Sequence, residues 1–502
     1  VLGASVGDDK DDKISNNSDD ESNAPGIPSC HSLPSRAGKH RHIADSGKDL
    51  SRHEVELDLD VEQPPDSEDE LLGAETRSSK APTKRKAAAE HQQGGTMTVT
   101  AAITNLVTCM IGASVLSLPR MVAMNGWAFG PLMVAVAACV SYRASVLVDQ
   151  AVDATTELQG RRPGSIGEVA LECWGLRGKR TVLILTSVFQ ISKVAVYFVV
   201  IGTNLHFWAD TIPQRTCSII GAGFCMRLVF LRDITVISRW SFIGVIAAGF
   251  YLFTITIAGL SAAAMSDRPT AGLLPVDYHD VLANFAVMLY AYSPSDVVPV
   301  LKRDMKEPKD LRCALFWSHV TVASIYVLIG TVGYLGWGRD VQGNVLLSMC
   351  DEPGCPGALP EVAAPGAKWV LGYILSFAVV SNLMVTVPVV LYCVFRMFEN
   401  EYEHLQTGMA NTLLRATVVT GSLTIALTMP FFIEILGVIS TVLLTTLQVF
   451  VPVSMTLALS KRGVVQYGKC ETFSLFLGGL IFLVGTSRSL RNLSDAIAKS
   501  SW

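Results

Sequence analysis

Residues 110–120 read MIGASVLSLPR, a run of small residues closed by a proline inside an otherwise apolar stretch. Gly112, Ser114 and Ser117 weaken a helix, and Pro119 removes a backbone donor. Lipid offers no partner to the backbone groups that such a break releases. A helix interrupted here must line a cavity or bury its loose ends in protein.

A second interruption lies at 288–305, MLYAYSPSDVVPVLKRDM, where Pro294 and Pro299 stand with Ser293 and Ser295 beside the first proline. Apolar blocks of about 20 residues mark membrane-spanning helices. They fall near 98–124, 128–150, 181–209, 216–231, 240–264, 279–300, 311–337, 367–396, 413–432, 435–459 and 472–489. The expected fold is therefore an all-α polytopic membrane protein of eleven spans, broken in the first and the sixth. Spans five apart run in opposite directions, as two inverted five-helix repeats require. Repeat one covers about 98–264 and repeat two about 279–459; the helix at 472–489 is extra, and 491–502 is a short C-terminal tail. Transporters built this way hold a polar substrate where their two discontinuous helices meet. Half-helix N-termini attract a carboxylate and unwound carbonyls attract an ammonium group, and an amino acid carries both. The plainer alternative is that the small residues only allow close helix packing.

Half the residues are hydrophobic and 17% are charged, with a mean hydropathy of +0.39. Residues 1–95 hold 20 acidic and 12 basic side chains and few aromatics. Such a segment buries too little apolar surface to offset its ordering entropy, so it reads as a disordered acidic tail. Its stretch SEDELLG comes near an acidic dileucine signal but has Ser67 where that signal has an acid, so sorting or regulatory proteins are possible tail partners. No cleavable signal peptide is visible before the first apolar block.

Orientation follows from basic residues. With the tail cytoplasmic, the inner loops receive Arg161, Arg162, Arg177, Lys179, Arg180, Lys302, Arg303, Lys306, Lys309 and Arg312, while the outer loops receive only Arg215, Arg268, Arg339 and Lys368. Deleting the weak block at 216–231 would invert every later loop, so it is counted as a span. The C-terminus is then lumenal or extracellular. Eleven cysteines show no metal-ligand spacing; Cys350 and Cys355, in SMCDEPGCPG, are candidates for a disulfide in an oxidising lumen. No nucleophile–base set or nucleotide loop points to an enzyme, no cofactor or metal is implied, and nothing points to nucleic acid.

Four ionisable groups fall within the apolar blocks or at their edges: Arg120, Lys193, Asp296 and Glu434. Such groups are costly in lipid and are functional candidates. Asp296, just past the sixth-span break, is a candidate proton carrier; the alternative is a fixed ion pair with Lys193 or Arg120. Lys193 is either a tethered cation in a vacant ion site or a paired, snorkelling side chain. Arg120 either attracts a substrate carboxylate or lines an outer vestibule, and Glu434 reads as a solvated helix cap. His206 and His319 read as ordinary interfacial residues.

NLVTCMIGASVLSLPRMVAMNGW resembles the first helix of the amino acid/auxin permease family, and VVPVLKRDMKEPKDLRCAL resembles its sixth-helix exit. NVLLSM and MPFFIEILGVIS resemble later segments, and the likeness runs over roughly residues 96–490. The long N-terminal tail is closest in character to vesicular and vacuolar members. The resemblance implies a LeuT-like fold and amino acid transport, commonly coupled to protons. It places Thr108, Ile111, Gly112, Ala113 and Ser114 of the first break, with Tyr290, Ala291, Tyr292 and Ser293 of the sixth, around a substrate that is expected to be a neutral amino acid. Sodium-coupled relatives carry Asn where Thr108 stands, which favours H+ over Na+; Asn105 and Ser381 remain as possible sodium ligands. Ser114 replaces a usual Gly, and Ser295 and Asp296 replace a commonly seen His and a small residue. The expected function is a proton-coupled amino acid transporter of a vacuolar, lysosomal or vesicular membrane. A sodium-coupled plasma-membrane carrier and an amino acid sensor without flux are the alternatives.

Overall fold

Thr98 caps the first helix, accepting from the Ala101 amide at 3.3 Å, and α1 runs Val99–Met110. It stops where the small residues begin. Gly112 is extended, Ala113–Ser117 form a 3-10 turn, and α2 (Leu118–Asn125) resumes at an angle of 52° with Pro119 in its first turn, where no donor is needed. The computed structural model describes residues 95–209, 211–230, 234–265, 272–349, 365–406, 408–429 and 431–499. The acidic tail up to residue 94, and Cys350 and Cys355, lie outside these.

The remaining helices are α3 (Phe129–Gln159), α4 (Ile166–Trp208), α5 (Gln214–Val229), α6 (Ile234–Met265), α7 (Val281–Ala291), α8 (Val298–Asp304), α9 (Leu311–Trp337), α10 (Pro365–Glu401), α11 (Gly408–Thr428), α12 (Phe432–Ser460) and α13 (Lys469–Lys499). Among the described residues there is no sheet, only one bridge between Met97 and Met305. There the Met97 amide donates to Asp304 at 3.0 Å and the Lys306 amide donates to Met97 at 2.9 Å. This pairing puts the C-terminal end of α8 on the side from which the tail enters, the tail side.

Seven of these helices are long and apolar enough to cross a membrane, and the bent pair α1–α2 makes an eighth. Three expected spans fall short for visible reasons. α5 has only 16 residues, the sixth block is split into α7 and α8, and α11 carries a buried Arg415. At 1.5 Å per residue, the 43 residues of α4 exceed any bilayer. The helix is broken at Gly175, which has φ 70° and ψ −163°, so only the part beyond it is of spanning length. The last helix continues to Lys499, past the expected end near 489; Arg488 ties it to Asp277 at 2.7 Å and to Asp280 at 2.6 Å, and Asn492, beyond that end, donates to Asp280 at 3.3 Å.

Small residues let the first span approach α9 closely. A Cβ on Gly333 would lie 2.6 Å from Pro119, and one on Gly330 would lie 2.8 Å from Val122. That contact holds the broken segment against a continuous one.

Candidate functional site

The two breaks face each other, and one side chain joins them. Tyr326 of α9 donates from its hydroxyl to the Met110 carbonyl at 2.7 Å and lies 3.2 Å from the Ala291 carbonyl. Both carbonyls end helices that cannot continue, so they lack an intrahelical partner. The next carbonyl, Tyr292, lies 2.9 Å from the Ser141 hydroxyl of α3 and accepts from Gln448 of α12 at 2.5 Å. The backbone groups freed by the breaks are thus met by polar side chains from other spans.

Among the buried side-chain atoms without a hydrogen bond are, near the breaks, the hydroxyls of Tyr290 and Tyr292 and the amide oxygens of Gln190 and Gln448. Beside them lies a cavity of about 20 Å³, lined by Phe189, Ser293, Ser295, Asp296 and Gln448, with Ile166 from the start of α4. That is room for about one water, too little for an amino acid.

The site residues expected from the sequence divide into four groups. Ile111, Gly112, Ala113, Ser114, Tyr290, Ala291, Tyr292 and Ser293 lie at the breaks. Gly112 is required by close approach: a Cβ there would lie 2.7 Å from the Tyr197 hydroxyl oxygen. A Gly112→Ala protein is expected to lose most of its activity, and adding Tyr197→Phe, which removes that oxygen, is expected to restore much of it in the same flux assay.

Lys193 and Asp296 come together across α4 and α8. Gln190 donates to the Asp296 carboxylate at 2.5 Å, and Lys193 is close enough to act on that carboxylate electrostatically. The Lys193 ammonium lies 3.5 Å from the Ser293 hydroxyl and 6.0 Å from the Tyr290 ring centre.

Thr108 and Asn105 point elsewhere. The Thr108 hydroxyl bonds back to Thr104 at 2.8 Å, and Asn105 is exposed and donates to the Met97 sulfur at 3.3 Å. Ser381 is half-buried in α10, and no described hydrogen bond joins it to Asn105. Among the described residues no cluster of His, Cys, Asp and Glu could hold a metal.

Arg120 and Glu434 lie on the opposite side from the tail, in a polar vestibule of about 550 Å³ shared with Thr203, Gln214 and Asn344. Arg120 donates to the carbonyls of Arg339 at 2.8 Å and Val341 at 3.2 Å. The tail side is closed by charge instead. Lys302 of α8 is buried against Asp149 and lies 2.7 Å from Asp153, while Arg312 reaches Asp149 at 2.8 Å. These pairs fasten α3 to α8 and to the start of α9.

His319 is a correction to the reading of the sequence. It is no interfacial residue but is buried in α9, within reach of Ser141 at 3.2 Å. His206 does lie at a helix end, its Nδ1 2.7 Å from the Ile212 carbonyl. Tyr197, Tyr326, Ser141, Gln190 and Gln448 were missed, although single amides in QISKVAVYF and TTLQVF are the kind of polar residue an apolar span seldom carries without cause.

The profile of the family described as Transmembrane amino acid transporter protein matches residues 95–490. The chain belongs to this family. The match covers both breaks, the vestibule and the tail-side ion pairs, and leaves out the acidic tail. Membership of the transmembrane amino acid transporter family makes the molecule a transporter rather than an enzyme. The chain is similar to the vesicular inhibitory amino acid transporter of Xenopus laevis, 20% identical over 457 residues, which covers 87% of this chain and 82% of that protein. The Xenopus tropicalis protein of the same name is 22% identical over 246 residues, 47% of each chain. The amino acid transporter AVT1J of Arabidopsis thaliana is 22% identical over 405 residues, covering 77% of this chain and 89% of its own.

Proposed function

We propose that this chain is a secondary active transporter that moves neutral amino acids across a vesicular or vacuolar membrane by alternating access, coupled to protons. The observation that carries the reading is the Tyr326 hydroxyl, which joins the carbonyls of two facing helix breaks. Beside them are buried donors and acceptors without partners. In this reading eleven passes form two inverted five-helix repeats and one further helix. The tail is cytoplasmic, in line with Lys179, Lys302, Arg303, Arg312 and Arg462 on its side. The vestibule then opens to the lumen while the Lys302–Asp149 cluster closes the cytosolic path. The names of the relatives support both the class of substrate and the compartment.

The contacts of Asp296 favour a fixed role. The Gln190 amide donates to its carboxylate at 2.5 Å and the Lys193 ammonium lies near it, contacts that tie α4 to the segment leading into α8.

The test is purified protein in liposomes, given a panel of labelled amino acids under imposed pH and sodium gradients. Uptake of at least one amino acid, accelerated by an acidic interior and unchanged when choline replaces sodium, is expected. Absence of both net uptake and exchange for every amino acid would end the transport reading and leave a sensor. For the lock, Asp296→Asn is expected to lower exchange and pH-driven uptake together, by about tenfold, as loss of one charged hydrogen bond implies. A variant that exchanged normally and lost only its response to the pH gradient would make Asp296 the proton carrier instead.

A further inference from the structure

His319 stands at the centre of a hydrogen-bonded cluster to which four spans contribute. Its Nδ1 lies 2.7 Å from the Leu315 carbonyl. A carbonyl only accepts, so Nδ1 carries a hydrogen and Nε2 is the nitrogen left to titrate. Nε2 faces the Ser141 hydroxyl of α3 at 3.2 Å. The same hydroxyl lies 2.9 Å from the Tyr292 carbonyl, where the sixth span breaks. Gln448 of α12 donates to both, at 2.5 Å each.

Ser141 has one hydroxyl proton and two acceptors competing for it. When the imidazole is neutral, its Nε2 lone pair takes that proton, and Tyr292 keeps only the Gln448 amide. When Nε2 binds a proton, it becomes a donor to the Ser141 oxygen. The hydroxyl proton must then turn to Tyr292, and both lone pairs of that carbonyl are occupied. One proton on one nitrogen thus decides whether a break carbonyl is free to receive a further donor.

We propose that His319 is the site that binds the coupling proton and that, through Ser141, it controls whether the Tyr292 carbonyl is open to the ammonium group of the substrate. The proposal deepens the transport reading and rests on it. One proton enters at Nε2 and leaves from the same nitrogen, and only hydrogen bonds are exchanged. Proton and substrate therefore exclude each other, which makes the protein an exchanger of amino acid against H+. Linkage requires the competition to be mutual.

The surroundings suit this role. The other titratable groups facing the imidazole are Tyr292, whose ring is stacked at 6.5 Å, and Tyr142, edge-on at 5.7 Å. Among the described residues no charged side chain acts on it. Arg312, two turns earlier on α9, is held by Asp149 and Asp153 of α3. The hydroxyls and the amide of the cluster are far weaker bases than the imidazole, so the switch has a single control.

The experiment compares two rates in liposomes loaded with the best amino acid of the panel: exchange at equal pH, and uptake driven by an acidic interior. Exchange needs no proton and reports on the transport reading alone; if the wild type shows none, that reading fails, and its failure is distinct from that of the proposal. Given exchange, His319→Gln keeps a hydrogen-bonding side chain that cannot titrate. It is expected to exchange within about threefold of the wild type and to lose the acceleration by the gradient. Its exchange should also become independent of pH, whereas the apparent affinity of the wild type falls as the pH drops, by up to about tenfold per pH unit. A His319→Gln protein that kept the gradient response would overturn the proposal. If that variant fails to exchange, Ser141→Ala decides, since it keeps His319 but cuts the relay. Exchange without a gradient response supports the proposal; a full gradient response, or no exchange in either variant, overturns it.

Discussion

Glu399→Ala is expected to lower the free energy of unfolding by about 3–5 kcal/mol, the cost of leaving a buried charge without its partner. The stranded charge is Arg415, which is buried in α11 although the local sequence would have it face lipid or water. Its Nη2 lies 3.1 Å from the Glu399 carboxylate, its Nε donates to Asn411 at 2.8 Å, and its Nη1 donates to the Val229 carbonyl at 2.7 Å. Asn411 in turn donates to Glu399 at 2.8 Å, and the Phe395 ring lies under the guanidinium at 4.7 Å. The Arg415 Nη2 and the Asn411 amide both lean on the carboxylate, and α5, α10 and α11 meet there. Denaturant titration of the purified protein in detergent measures the loss. The double variant Glu399→Ala, Arg415→Met should recover most of it, because it removes the charge together with its partner. A single variant within about 1 kcal/mol of the wild type would show that water already reaches the arginine.

Tyr326→Phe is expected to slow exchange by about 5- to 150-fold while the protein stays folded. The substitution takes one oxygen from the junction of the two breaks and leaves the Met110 carbonyl without its 2.7 Å donor. A buried acceptor deprived of its donor costs about 1–3 kcal/mol, and each 1.4 kcal/mol is a factor of ten in rate. The penalty falls on the state in which the breaks are pressed together and not on one in which water has entered. The cycle therefore loses its closed intermediate. The measurement is the initial exchange rate beside a melting curve. Wild-type exchange in the phenylalanine variant would mean that the hydroxyl only fills space.

The breaks were legible because helix weakness is local. Gly112, Ser114, Pro119, Pro294 and Pro299 announce themselves to anyone reading along the chain. So does the junction of Lys193 with Asp296, since ionisable groups in apolar blocks have few places to go. The relay was not legible. Ser141, Tyr292, His319 and Gln448 come from four spans, and a histidine nine residues into a helix looks the same in sequence whether it meets lipid headgroups or a buried serine. Tyr326, in ASIYVLIG, reads as one more packing aromatic until the fold brings two carbonyls to its hydroxyl. Arg415 was passed over for the same reason, because its partner Glu399 belongs to the preceding helix. One feature could have been read and was not. SIGE at 165–168 has the spacing of a helix cap, and the Ser165 hydroxyl accepts from the Glu168 amide at 3.3 Å, starting the short helix before Gly175.

The chain enters the membrane held fast at its first span. Met97 is zipped to Asp304 and Lys306, and Gly95 lies so near Asp304 that a side chain there would meet its carbonyl at 2.2 Å. A pull or twist applied upstream of Gly95 therefore arrives at the exit of the sixth span, the segment that has to swing for cargo to leave toward the tail. The entrance of the first span and the exit of the sixth are thereby one joined piece.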